Sequence, residues 1–577
     1  MINLVSLYCR NDGHKVAFFP PGPAAHAAKK ARVRKDPPQS ETPAGASTAI
    51  QQSSAAALQV SSATESAPSP TAVHEVRTAS PSSPQVQSTA TVLDNKSDLD
   101  GYVARAIFGA GLPVVTVEHT AFVKMLKRLN PGYDPPSVFA LSTSVLDLEY
   151  SGVEIKLRAE VLDSTAVSLG VESWVGQKRS LVTTVLSSPS PAIFAIDSTG
   201  DMPNSAEMLV DKIENTMTQL GTARISAVVM DSTDNMKQAS LTLQSKYPAI
   251  TFLPSCAHTM TEMMREMLAL PLVVNTLDTC AQLSRFFAQD KGARAAIVRV
   301  SEQSMEAAAP FGDPDDSSPS GLLGCLFTIE RNRHSLDILL AENGTLNALN
   351  AHVKDRIMSL AFWEEVSMLT GLFEPFFEML KMFESDSPLL STFYHRFTLL
   401  WEHLDKYGNL ASKFQHIISG YWQAIQHPAV YTAYLLDPRF PPSSLSGEAT
   451  SDALAYIKRT STPEVYGLIV DELTRFTART DLFADDAIWE SAQKCSPLHW
   501  WKGFIGSSCP NLQPVALRTL GFSASSGLSK SKRDMFEKIQ TMNAKYMAEE
   551  QASKAAVVYL NSNLSLSVED GVAETKV

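Results

Sequence analysis

Ile225-Ser-Ala-Val-Val-Met-Asp-Ser-Thr-Asp-Asn-Met236, closely followed by Pro248-Ala-Ile-Thr-Phe-Leu-Pro-Ser-Cys-Ala-His258, decides the fold class of this chain. The first run is a short β-branched stretch ending in small polar residues, which predicts a strand over Ile225 to Asp231 and a helix over Asp234 to Lys246. The second predicts a short strand over Ile250 to Leu253 and a helix from Cys256 to Leu268. Upstream, Ala166 to Val171, Ser180 to Leu186 and Ile193 to Asp197 read as three strands in close succession, and Ser205 to Leu220 as a helix. A meander followed by strand–helix alternation predicts an α/β protein, with a mixed sheet covered by helices.

On the N-terminal side of the sheet, Leu99 to Pro113 shows apolar residues at helical spacing and stops at Gly111 and Pro113. A second helix is expected at Ala121 to Leu129, with a turn through Pro131, Gly132, Pro135 and Pro136. The stretch beyond Ser142, through Leu146, Leu148 and Tyr150, also has helical character. On the C-terminal side, Leu270 to about Lys458 is almost wholly helical in pattern, with Phe362, Val366, Leu369, Phe373 and Phe376 forming one apolar stripe. Breaks fall at the acidic loop Pro310 to Ser320 and at Pro441-Pro442. Helical periodicity returns at Pro463 to Leu482 and at Lys530 to Tyr559. The expected organisation is a basic, Ser/Ala/Pro-rich and disordered region over 1–97, a helical region over 98–160 and the sheet over 161–269. An all-helical segment over 270–485, a C-terminal helical region over 486–562 and a disordered tail over 563–577 complete it.

The net charge of −12 argues against a uniformly nucleic-acid-binding surface. Residues 1–93 hold 8 Lys/Arg against 5 Asp/Glu, and residues 94–577 hold 41 against 56, so any basic surface must be local. The cluster Lys29-Lys30-Ala31-Arg32-Val33-Arg34-Lys35 is the clearest one. It could engage an import receptor or phosphates, which points to the nucleus. Six scattered cysteines without a CxxC pair give neither a disulfide framework nor a zinc ribbon. No apolar run suits a signal peptide or a spanning helix, so no membrane partner is expected.

Several motifs then occur in one order. Leu112-Pro113, Val117-Glu118, Phe122 and Leu129-Asn-Pro-Gly-Tyr-Asp-Pro-Pro-Ser137 precede the sheet. Val229-Met-Asp-Ser-Thr-Asp-Asn-Met236 and Pro254-Ser-Cys-Ala-His258 lie within it. His427-Pro428, Leu435-Leu-Asp-Pro-Arg-Phe440 and Trp500-Trp501 come after it. This ordered set, over roughly residues 98 to 562, resembles the hAT superfamily of transposases. The resemblance implies an RNase H-like sheet, a large helical insertion and a C-terminal dimerisation region, hence a homodimer or oligomer formed through that region.

It also implies chemistry in which three carboxylates hold two Mg²⁺ ions about 3.5–4 Å apart. Asp231 falls where the family's second Asp falls, with an N-capping role as its structural alternative. The first Asp matches Glu172 in Glu172-Ser173-Trp174, at the end of the opening strand. The third acid matches Ser529, after Ser525-Ser526-Gly527-Leu528. A hydroxyl is a poor Mg²⁺ ligand, and the downstream acid Glu537 lies more than about 10 Å further along a helix.

The family's Cys, separated from His by two residues, is replaced here by Ser255, and Cys256 with His258 makes too few ligands for structural zinc. His258 is read as a packing residue with a helix-start hydrogen bond. Trp500 and Trp501 are read as anchors joining the C-terminal segment to the sheet rather than as base-stacking platforms. The BED-type finger needs paired Cys and paired His before the core, where Cys9, His14 and His26 do not supply them.

The expectation is therefore a transposase-derived, non-catalytic nuclear protein associated with DNA or chromatin, or with itself, needing no cofactor. The alternatives are an active transposase using Glu172, Asp231 and Mg²⁺, and a decayed copy of one. For Phe536, Ile539, Met542 and Tyr546, spaced as one helical stripe, packing within the chain and packing against a second chain both remain open.

Overall fold

The computed structural model describes residues 89–562 apart from positions 165, 177–178, 189, 200–203, 305–307, 313, 316–317, 343, 345–347 and 386–387. The expected disorder of 1–88 and 563–577 lies outside these residues, whereas 89–97, also expected to be disordered, open the helix Thr89–Gly109, which starts earlier than the apolar spacing from Leu99 suggested. The candidate import or phosphate-contact residues Lys29, Lys30, Arg32, Arg34 and Lys35 also lie outside the described residues. Residues 96–562 lie within one compact unit.

Five strands form one sheet: β1 Val167–Val175, β2 Ser180–Ser188, β3 Ala192–Ser198, β4 Ile225–Met230 and β5 Thr251–Pro254. Their order is β3-β2-β1-β4-β5. The first three form an antiparallel meander, while β4 runs parallel to β1 and β5 parallel to β4. This is the α/β, RNase H-like mixed sheet expected from the sequence. The helix Ala206–Leu220 joins β3 to β4, and Asp234–Lys246 joins β4 to β5. β1 is longer than expected because β2 continues to pair with it, Trp174 opposite Leu181 and Val175 opposite Ser180. Glu172-Ser173-Trp174 therefore lies inside β1 rather than beyond its end.

Both faces of the sheet are buried, and β4 shows why its sequence is apolar throughout. Val228 and Met230 join one core, whereas Ala227 and Val229 join the other, as the two-residue period of a strand requires. The first core includes the helix Leu146–Asp163, the two connecting helices and the C-terminal residues Leu528, Phe536 and Ile539. The second is the helical body, from Cys256–Leu268 through to Ala524. The 486–562 segment is thus shared: residues up to Ala524 pack in the helical body, and those from Leu528 pack with the sheet's other core. Phe536 and Ile539 bury their stripe within their own chain, and Tyr546 stays 37% exposed.

Trp500 and Trp501 are fully buried, as anchors should be, but they anchor the helical body rather than the sheet. The Trp501 indole donates to the Leu436 carbonyl at 2.8 Å, and Trp500 donates to the Ile488 carbonyl at 3.0 Å. Phe476, Phe483 and Trp489 close around them. The sequence-adjacent aromatics found their partners in helices 65 and 12 residues away, which periodicity could not reveal.

The Leu435-Leu-Asp-Pro-Arg-Phe440 motif is structural as well. Asp437 is fully buried and accepts from the Arg439 Nε at 2.9 Å, the Arg439 backbone N–H at 3.0 Å and the Ser391 hydroxyl at 2.7 Å. A buried carboxylate is tolerable only with such partners. Asp437→Ala removes them together and is expected to destabilise the chain by about 3 kcal/mol. A thermal melt that leaves the midpoint unmoved would show that the knot is dispensable.

Candidate functional site

β1 and β4 bring the two expected carboxylates side by side. Val171 pairs with Met230, so Glu172 and Asp231 are the next residues along two adjacent parallel strands. Asp231 is 3% exposed and sits one residue beyond β4. Its Oδ2 accepts from the Ser173 N–H at 2.7 Å, and its Oδ1 accepts from the Thr233 N–H at 2.9 Å and the Thr233 hydroxyl at 2.7 Å. Thr233, not Asp231, is the N-cap of Asp234–Lys246. Asp231 therefore tightens the turn between strand and helix with its own side chain.

Glu172 is 6% exposed, and its Oε1 forms an ion pair with Arg533, from the first turn of Lys530–Asn543. The guanidinium also lies 5.7 Å from the centroid of the Trp174 ring, and Trp174 packs edge-on against Phe536. The Trp174 indole is fixed by donating to the Thr183 hydroxyl at 2.9 Å. Burial pushes the Glu172 pKa up to about 7, with Arg533 opposing the rise and Asp231 adding to it. Arg is suited to this place because it stays charged while its flat face stacks on an indole.

The segment 525–528 runs over β1 at close range. A Cβ on Gly527 would lie 1.6 Å from Glu172 Oε2, and a Cβ on Gly170 would lie 2.5 Å from the Ser526 carbonyl oxygen. Ser255, where the resembling family has Cys, holds this crossing together. Its hydroxyl accepts from the Ser526 N–H at 3.2 Å and from the His258 N–H at 3.3 Å, so one oxygen caps the helix Cys256–Leu268 and ties it to the C-terminal segment. Cys256 is buried, which pushes its thiol up to about 12 and keeps it protonated.

A cleft of about 440 Å³ opens beside this crossing, lined by Glu172, His258, Ser529, Arg533, Asp534 and Glu537 among others. Ser529 is the N-cap residue of Lys530–Asn543, and its hydroxyl lies 3.0 Å from that of Ser531. Glu537 does reach the cleft, one turn beyond Arg533. Even so, among the described residues no three His, Cys, Asp or Glu side chains come together in a way that could hold a metal ion.

The donor set does not fit the two-metal arrangement that the resemblance implies. Asp231 already uses both oxygens on protein donors, Glu172 is neutralised by Arg533, and the third position offers a hydroxyl. Glu172 and Asp231 were legible as a pair in the sequence. Arg533 and Gly527 were not, since the only signal was that a buried carboxylate must find a cation, and Lys530, Lys532 and Arg533 were equally available.

Residues 136–283 of the chain match DUF659, a domain of unknown function. It is found in hAT-like, transposase-related proteins. The match takes in the helix Leu146–Asp163, the whole sheet with Glu172 and Asp231, and most of Pro271–Gln289. Arg533 and the C-terminal crossing lie outside the DUF659 region. A search of curated proteins returned no match. Among the described residues no helix is long and apolar enough to cross a membrane.

Proposed function

We propose that this protein is transposase-derived, of the hAT type, and serves in the nucleus as a non-catalytic factor that associates with DNA or chromatin and with itself. One observation carries the reading: the cation beside Glu172 is the side chain of Arg533, held by the carboxylate and by Trp174. A fixed internal guanidinium supplies the counter-charge that a metal ion would otherwise bring, and it supplies no activated water. The fold does not itself dictate cleavage, because function belongs to the site and not to the scaffold. The DUF659 match supports the ancestry, and the basic cluster Lys29 to Lys35 supports nuclear import or phosphate contact.

Calorimetric titration of the full chain with Mg²⁺ and with Mn²⁺ tests the reading, alongside a strand-cleavage assay. No saturable binding and no cleavage are expected. Micromolar binding that disappears in Asp231→Ala, with metal-dependent cleavage, would replace this proposal with an active transposase.

A further inference from the structure

The helix Leu146–Asp163 is apolar on two faces. Leu146, Val153, Leu157 and Val161 are buried in the core beside the sheet. Leu148, Ile155 and Leu162 face solvent at 66%, 67% and 61% exposure. A surface helix ordinarily carries one apolar stripe and a charged outer face. Here the outer face is a second stripe. Its large residues are seven apart, the spacing of a seam between two helices, and the exposed positions between them, Ser151 and Ala159, are small enough for close approach. At about 100° per residue these five positions fall within roughly 40° of the Ile155 direction, and no charged residue lies among them.

The stripe is symmetric about Ile155. A small residue stands four positions to either side and a leucine seven positions to either side. Such a pattern is complementary to itself under a two-fold axis, the commonest symmetry of soluble oligomers. We propose that this stripe is the contact between two copies of the chain, packed antiparallel about a two-fold axis at Ile155. Leu148 of one copy then meets Leu162 of the other. Glu154 and Arg158 pair with each other within the helix at 2.6 Å on one edge of the stripe, and Arg158 also donates to the Gln219 carbonyl at 2.9 Å, so this pair is satisfied within its own chain and leaves the stripe itself uncharged. A strongly acidic or basic partner would find no counter-charge inside the stripe. The proposal places self-association away from the C-terminal helices, whose residues Phe536 and Ile539 are already buried in their own chain.

The inference rests on the proposed function only for self-association. One helix pair buries less than the ~1,600 Å² of a standard interface, so the dimer should have a dissociation constant on the order of micromolar. Sedimentation velocity on the full chain, from about 1 to about 100 μM, brackets that value. The native chain should pass from monomer to dimer. Ile155→Glu should stay monomeric, at least about tenfold weaker, with unchanged circular dichroism because the position is largely exposed. Should that variant misfold, Ala159→Arg serves in its place. Ile155→Cys should form a disulfide between the two copies of residue 155 on mild oxidation. A native chain that stays monomeric, as it would if another segment or a different protein covered the stripe, overturns the proposal. So does a dimer that survives both charged variants. Neither result alters the metal-binding and cleavage outcomes by which the proposed function stands or falls.

Discussion

Arg533→Ala lowers the stability of the folded chain by about 1–2 kcal/mol at pH 8, where Glu172, with its pKa pushed up to about 7, is mostly ionised, and Glu172→Gln restores most of the loss. Removing one partner of a buried ion pair leaves the other charge without compensation, at a cost of about 3–5 kcal/mol when both are fully enclosed. The lower figure applies because the Arg533 side chain keeps 35% of its exposure and is partly screened, while that of Glu172 keeps 8%.

The pH dependence comes from the raised pKa of Glu172. A carboxyl that holds its proton more tightly when folded favours the folded state below about 4.5 and loses that advantage as pH rises to about 7. Stability therefore falls across that window, and Glu172→Gln should flatten the fall. The cost of Arg533→Ala should also shrink at pH 5, where Glu172 is largely protonated and needs no cation. Melting midpoints of the native chain, both single variants and the double variant at pH 5 and pH 8 give the whole cycle. Equal losses at the two pH values would show that Arg533 acts by packing alone.

Gly170→Ala is expected to cost about 3 kcal/mol, the upper part of the usual range for overpacking. The added methyl would sit 2.5 Å from the Ser526 carbonyl oxygen, 2.8 Å from the Ser526 carbonyl carbon and 2.7 Å from Val185 Cγ2. Two of these atoms are backbone and cannot rotate aside, so the 525–528 segment must lift from β1. This is a strand glycine whose role is to let another backbone approach. Gly324, inside the helix Pro319–Arg331, has nothing within 4 Å of its would-be Cβ. Gly324→Ala should therefore be neutral or stabilising by up to about 1 kcal/mol. Limited proteolysis should find the 525–529 region cut faster in Gly170→Ala and unchanged in Gly324→Ala. Identical behaviour of the two variants would contradict the close crossing.

The sheet was legible because strands buried on both faces need continuous apolar, β-branched runs, and Ile225 to Met230 is one. The helix Cys256–Leu268 was legible to the residue, since Ser255 marks its start. Strand ends were less so: β1 runs on to Val175 because β2 supplies partners, and pairing is not written in β1 itself. Leu148, Ile155 and Leu162 show the same limit from the other side. They read simply as helix, and only the packing of Leu146, Val153, Leu157 and Val161 reveals that they are left over.

By itself the sequence determined the element types, the mixed α/β class and the candidacy of Glu172 and Asp231, because these depend on local periodicity and on motif order. Only the tertiary structure decided that Arg533 neutralises Glu172, that Gly170 and Gly527 admit the C-terminal crossing, and that Trp500 and Trp501 belong to the helical body. Each of these joins residues far apart in the chain. The physical reason is that a buried charge, a close backbone approach and an aromatic cluster are selected by what they meet, and the sequence names many possible partners for each.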